Sequence, residues 1–307
     1  MPPATDLIVM RLWTSPLQRR PTLLIVGCGD VGLRVIRHLG AHWRVIALTS
    51  SPARRHVLRA AGAEPLLGDL DAPGTLWRLA ALADAVLHLA PPPGTGLTDP
   101  RTAALLRVLA RGGRVRRLVY ASTTGVYGDC GGACVDETSP AVPQTDRARR
   151  RVDAESRLRH FGRVTGCAVT LLRVPGIYAL NRAGGDPRER VMRGTPVLCP
   201  ADDVHTNHIH ADDLARACIR ALHAGGPQRV INVCDQSDLK MGDYVDLVAD
   251  LWALPRPPRL TRAEASSQLS PAAMSFLSES RRVDNRRMLR ELRLDLRYPT
   301  VLEGLVA

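Results

Sequence analysis

Three glycines spaced Gly27-x-Gly29-x-x-Gly32 stand between an apolar run, residues 23–26, and a stripe of Val31, Val35, Ile36 and Leu39 at helical spacing. An apolar strand that turns through glycines into a helix is suited to hold a pyrophosphate. Gly27 permits the tight turn, and Gly29 removes the Cβ that would block the phosphates. Gly32 lets the helix approach the strand, while the first helical amides, at Asp30, Val31 and Gly32, face the anion. The chemistry predicted is dinucleotide binding. NAD-preferring turns place a carboxylate about 20 residues further on to hold the ribose hydroxyls, yet no Asp or Glu lies between Asp30 and Glu64. The second strand instead runs into Thr49-Ser50-Ser51-Pro-Ala-Arg54-Arg55. Hydroxyls and guanidinium groups suit a 2′-phosphate, so NADP is the first choice of cofactor and NAD the alternative; Arg54 and Arg55 solvated on the following helix are the plain structural reading.

Other residue types invite chemistry and meet plainer explanations. Tyr127, in the loop after a predicted fifth strand, is either a proton donor on the nicotinamide side or a packing residue, and Tyr178 faces the expected cleft from the opposite rim. His205, His208 and His210 beside Asp202, Asp203, Asp212 and Asp213 suggest a metal cluster, since His208 and His210 share one face of a strand. Asp212 and Asp213, however, open a predicted helix and read as N-terminal caps. Cys130 and Cys134 have no second cysteine pair. No metal is expected.

The elements that must position these groups alternate in the manner of a parallel sheet. Strands are predicted at 23–26, 43–48, 64–67, 85–89 and 117–122, with helices near 52–61, from 73 and over 101–111. That places Asp69, Leu70, Leu89, Ala90, Pro91 and Thr123 at strand ends, where open α/β sheets bind ligands. From Pro175 onward Gly and Pro become frequent; a helix near 211–223 and a strand at 229–233 return to the sheet. The expected fold is α/β, a doubly wound parallel (Rossmann) sheet with a small C-terminal substrate cap. The expected organisation is a loose tail over 1–20 and a nucleotide domain over 21–175, its sheet completed by about 205–235. A cap then comprises 176–204 and 236–307.

At 307 residues, 45% hydrophobic and 23% charged, the chain can bury a large core. No apolar run approaches the roughly 20 residues of a membrane span, and seven scattered cysteines fit a reducing compartment, so the location expected is cytoplasmic. The net charge of +12 raises the question of nucleic acid. Of 42 basic residues only Lys240 is lysine, the arginines are spread along the chain and aromatics are 4%, which is a compositional bias rather than a binding stripe. The expected partner is a small-molecule substrate, with neither nucleic acid nor membrane; a homodimer is left open.

Taken in order, Gly27-Cys-Gly-Asp-Val-Gly32, Gly68-Asp-Leu70, His88-Leu-Ala-Pro91, Tyr120-Ala-Ser-Thr-Thr-Gly-Val-Tyr-Gly128, Asp136-Glu-Thr-Ser-Pro140, Arg173-Val-Pro-Gly-Ile-Tyr178, Asn207-His-Ile-His-Ala-Asp-Asp-Leu214 and Arg281-Arg-Val-Asp-Asn285 resemble the extended and atypical short-chain dehydrogenases/reductases, the NAD-dependent epimerase/dehydratase family, and within it a YeeZ-like branch. The resemblance covers the chain from the first strand to about Gly304. It implies that Asp69 and Leu70 flank the adenine, Ala90 borders the nicotinamide half and Thr123 holds the place of the family's catalytic Ser/Thr. It fails at the family's Tyr-x-x-x-Lys pair. With Glu155 aligned to the acidic residue that trails the pair, Arg147 falls at the tyrosine and Arg151 at the lysine. Arg151 can still hold ribose oxygens; Arg147 cannot act as a general acid at neutral pH. The function implied is an NAD(P)-binding oxidoreductase or epimerase/dehydratase-like enzyme using Thr123 and Tyr127 without that pair. The alternative is a non-catalytic NADP(H)-binding sensor.

Overall fold

A computed structural model describes residues 20–307; the tail expected at 1–20 lies, Arg20 apart, outside the described residues. Seven strands form one sheet: β1 (Thr22–Val26), β2 (Arg44–Thr49), β3 (Glu64–Leu67), β4 (Ala85–His88), β5 (Arg117–Thr123), β6 (Ala168–Val174) and β7 (Arg229–Asn232). Their spatial order is β7-β6-β5-β4-β1-β2-β3, and every neighbouring pair is parallel. The order reverses beside β1, between β4 and β2, which is where ligands bind in such sheets.

The period-2 alternation of a strand divides β1 between two cores. Leu23 and Ile25 face one cluster with Val35, Leu214, Cys218 and Leu222; Leu24 and Val26 face the other with Leu105, Leu109, Leu158 and Phe161. All four β1 residues are fully buried. Helix α1 (Asp30–His38) and a helix at Ala211–Ala224 therefore cover one face, and helices at Pro100–Gly112 and Asp146–Thr165 the other. The Pro100 helix starts cleanly because Asp99 accepts from the Thr102 amide and Pro100 presets the first turn. The Asp146 helix is capped by Thr145 and stops at Gly166 with φ +72°.

The remaining chain builds a second layer over the carboxyl edge of the sheet. Tyr178, Val191 and Val197 pack with Tyr244, Val245, Val248, Val301 and Leu305, joining segments distant in sequence. Met288, Leu292 and Leu294, from the stretch the sequence reading gives to the cap, pack instead into the sheet's own core. The helix at Ala211–Ala224 corrects one sequence reading: its cap is His210, whose side chain accepts from the Asp212 amide. Buried Asp213 instead accepts from the Arg297 and Tyr298 amides and pairs with Arg216. Asp212 binds Arg34.

Candidate active site

The glycine turn separates three demands. Gly27 has φ +83°, and a Cβ there would lie 2.4 Å from the Ala90 nitrogen; the turn is pressed against the end of β4, whose Leu89 and Ala90 amides both donate to the Val26 carbonyl. Gly32 faces Cys28 Sγ at 2.9 Å and Ile25 beyond it, so the third glycine seats α1 on β1. Around Gly29 nothing lies within 4 Å of an added Cβ. No protein atom requires a glycine there, and the space a side chain would take is left open at the start of α1. The first helical bond runs from the Leu33 amide to the Gly29 carbonyl, and no side chain caps the helix. The amides of Asp30, Val31 and Gly32 thus lack intrahelical partners. These features fit the phosphates of a dinucleotide.

Gly27, Gly29, Asp30, Val31, Gly32, Leu89, Thr123 and Arg151 line one cavity of about 280 Å³. Ala90 is buried behind it and Pro91 is exposed. Thr49, Ser50, Arg54, Asp69 and Leu70 follow the sheet edge away from this cavity, at the ends of β2 and β3. Arg54 reaches back to the turn and donates to the Cys28 carbonyl at 2.8 Å. Asp69 is held by the Asp71 amide and by Thr75.

Arg151 is fixed by donating to the Tyr120 hydroxyl at 2.9 Å and the Ala121 carbonyl at 2.8 Å. Tyr120 packs against His88, which is bonded to Thr102. Burial pushes the Tyr120 phenol up to about 12 and the His88 imidazole down to about 3. Both therefore stay neutral around pH 7 and serve as fixed walls.

Thr123 ends β5 and lines this cavity and a second one of about 630 Å³, which shares Pro175, Ile177 and Arg182 as walls. Its hydroxyl oxygen accepts from the Gly125 amide at 3.2 Å, which leaves its hydrogen available for a ligand oxygen. The larger cavity reaches up into the second layer, past Tyr178, His208 and Tyr244. Arg147 lines it one helical turn before Arg151 on the same face of the Asp146–Thr165 helix.

The expectation that Tyr127 donates a proton is corrected. Tyr127 is 2% exposed, packs with Val126 and Val135, and lines neither cavity. Its hydroxyl donates to Asn232 at 2.7 Å, the Arg173 guanidinium lies over its ring, and burial raises its pKa. A phenol so enclosed is a packing residue. Tyr178 does line the larger cavity, but its hydroxyl donates to the Thr300 carbonyl. His208 stacks on Tyr244 at 4.0 Å and burial pulls it down to about 3.

Three groups here escaped sequence reasoning. Ser122 donates to Glu155 at 2.6 Å, and Glu155 holds Arg173 through both oxygens; this buried trio braces the end of β5. Arg34, 3% exposed, joins Asp30, Asp212 and Asn181. Only its spacing of four from Asp30 signalled the first of these contacts. Glu279 and Arg281 enter the larger cavity from the far end of the chain; Arg281 lies in one of the motifs, but nothing local placed either residue at this cavity.

A parallel sheet of order 3-2-1-4-5-6-7 on either side of such a turn, with a cleft at its carboxyl edge, is a doubly wound α/β fold. Residues 23–234 match the model of the NAD dependent epimerase/dehydratase family, and the chain belongs to that family. It is 25% identical over 293 residues to Protein YeeZ of Escherichia coli K12, covering 91% of this chain and 96% of that protein. The structure of a functionally unknown conserved protein from Silicibacter pomeroyi DSS matches with a TM-score of 0.78 at 33% identity, over 94% of this chain and 97% of the other. UDP-glucuronic acid 4-epimerase from Bacillus cereus, solved in complex with NAD, shares the fold with a TM-score of 0.72 at 16% identity, over 92% and 97%. Among the described residues no helix is long and apolar enough to cross a membrane, and no group of three His, Cys, Asp or Glu could hold a metal ion.

Proposed function

We propose that this protein is an NAD(P)-dependent oxidoreductase of the epimerase/dehydratase type, acting on a small molecule without the Tyr-x-x-x-Lys pair and preferring NADP. The observation that carries this reading is the pair of cavities that meet at Thr123, one floored by the glycine turn and the other reaching into the second layer. Gly29, with the amides of Asp30, Val31 and Gly32, would hold the pyrophosphate, and Arg151 the nicotinamide ribose. Asp69 and Leu70 would flank the adenine, with Leu89, Ala90 and Pro91 along the strand edge. Thr49, Ser50 and Arg54 would meet a 2′-phosphate. The cofactor, when bound, gives or takes a hydride. Thr123 orients the reacting oxygen by donating a hydrogen bond. Arg147 brings positive charge to the same place; as a guanidinium it moves no proton.

The test is calorimetric titration with NADPH and NADH, followed by absorbance of NADPH with a panel of ketones, aldehydes and nucleotide sugars. Binding of NADPH tighter than NADH, with oxidation by some carbonyl compound, is the expected result. Failure of both cofactors to bind overturns the reading. Tight binding without turnover of any compound returns the sensor alternative.

A further inference from the structure

The charges around the larger cavity are not balanced. Arg182 pairs with Asp30, Arg193 with Glu189, and Arg281 with Glu279 at 2.9 Å, while Asp186 pairs with Arg188. His205 faces Asp238. That leaves Arg147 and Arg190 with no ion pair and no side-chain hydrogen bond among the described residues. Arg190, its Nε buried and unbonded, belongs with Tyr244 and Arg193, away from the sheet. Arg147 belongs to the Thr123 end. Its guanidinium lies 4.1 Å from the centre of the Phe276 ring and within electrostatic reach of Glu279 and Arg281. A Cβ on Gly125 would lie 3.5 Å from Thr123 Oγ1 and 4.0 Å from an Arg281 nitrogen, which ties that group to the end of β5.

We infer that the ligand carries a carboxylate and a hydroxyl, the carboxylate held by Arg147 beside Thr123 and the hydroxyl facing Glu279. The inference deepens the proposed function and rests on it for what happens next to Thr123. A half-buried guanidinium with no ion-pair or hydrogen-bond partner is costly, and a planar oxyanion is the group its fork fits. At the Thr123 end charge favours a monoanion such as a carboxylate over a dianionic phosphate monoester: Arg147, Arg281 and Glu279 together carry one net positive charge. The hydroxyl follows from Glu279, which is 7% exposed and lines the cavity. Its Oε2 is taken by Arg281, and its Oε1 is buried with no hydrogen-bond partner. A carboxylate oxygen accepts only, so the matching ligand group is a donor.

The test uses the full chain without added cofactor and four probes followed by saturation-transfer NMR titration: glycolate, acetate, neutral glycolamide and inorganic phosphate. Glycolate is expected to bind, with glycolamide at least tenfold weaker. Arg147→Ala should weaken glycolate at least tenfold and Arg147→Lys should recover part of it, whereas Arg190→Ala should change it less than threefold. Glu279→Leu, which removes the acceptor, should abolish the preference of glycolate over acetate, and a preference that survives it overturns the inference. Glycolate that does not bind, or binds regardless of residue 147, overturns the inference, as does Arg147-dependent binding of phosphate tighter than that of glycolate. NADPH titration of the same preparations separates the two readings. If NADPH binds and the glycolate result fails, only this inference falls; if glycolate behaves as expected and NADPH does not bind, the oxidoreductase reading falls.

Discussion

Replacing Gly27 and Gly29 separately distinguishes a glycine required by the chain from one required by a ligand. At Gly27 an added Cβ would sit 2.4 Å from the Ala90 nitrogen and 2.5 Å from its Cα, and the backbone has φ +83°. A left-handed conformation costs a side-chain-bearing residue ~1–2 kcal/mol, and overpacking against backbone adds ~1–3 kcal/mol. Gly27→Ala is thus expected to lose about 3 kcal/mol, a fall in Tm of roughly 6–12 °C at ~2–4 °C per kcal/mol. At Gly29 φ is −85° and nothing lies within 4 Å of the added atom. Gly29→Ala should therefore keep its Tm within about 2 °C, the ±0.5 kcal/mol typical of a site free of packing. Gly29→Asp should bind both dinucleotides at least tenfold more weakly, a loss of ~1.4 kcal/mol or more, because it puts bulk and negative charge where the pyrophosphate would lie. Differential scanning fluorimetry and calorimetric titration with NADPH and NADH provide the two readouts. If Gly29→Ala melts as low as Gly27→Ala, or Gly29→Asp binds as the parent does, the phosphate cradle is wrongly placed.

Arg54→Ala should weaken NADPH by about tenfold or more and leave NADH nearly unchanged, given ~1.5–3 kcal/mol for a charge-assisted hydrogen bond; equal losses by calorimetry would contradict a 2′-phosphate contact. On any substrate that is turned over, Thr123→Ala should lower kcat more than tenfold, while Tyr127→Phe should keep kcat and lose only ~1 kcal/mol of stability with its bond to Asn232. Glu155→Gln should cost ~3–5 kcal/mol in denaturant melts, because it leaves the buried Arg173 guanidinium half-paired. Asp235 is buried, and burial pushes its carboxyl up to about 7 from an ordinary 3.8. The folded chain therefore holds that proton more tightly than the unfolded chain. Its contribution to stability is complete below about pH 4 and is lost as pH rises to about 7, by at most ~4 kcal/mol. Asp235→Asn should flatten that part of the Tm profile, and a parent profile equally flat between pH 4 and 7 would refute the assignment.

The sequence by itself determined the architecture of the nucleotide half. Continuous apolar runs, stripes at helical spacing and glycine turns are local properties, so the strands, the turn at Gly27 and the parallel sheet were legible, and the order of motifs identified the family. The same local logic put Thr123 at a strand end, while only the resemblance aligned Arg147 and Arg151 with the family's Tyr and Lys. What it could not reach is contact between distant segments. Tyr127 reads as a loop phenol until Asn232, 105 residues on, takes its hydroxyl. His208 and His210 share a strand face, but that Tyr244 and Tyr298 pack against them is not legible in the sequence. Arg147 stands out in the sequence only through the alignment, until the fold brings Glu279 and Arg281 near it from more than 130 residues away and leaves it without an ion pair among the described residues. Spacing along the chain fixes what a residue can be within its own helix or strand. Which charges are neutralised, which hydroxyls are already bonded and which glycine faces empty space depend on partners that only the tertiary structure assembles.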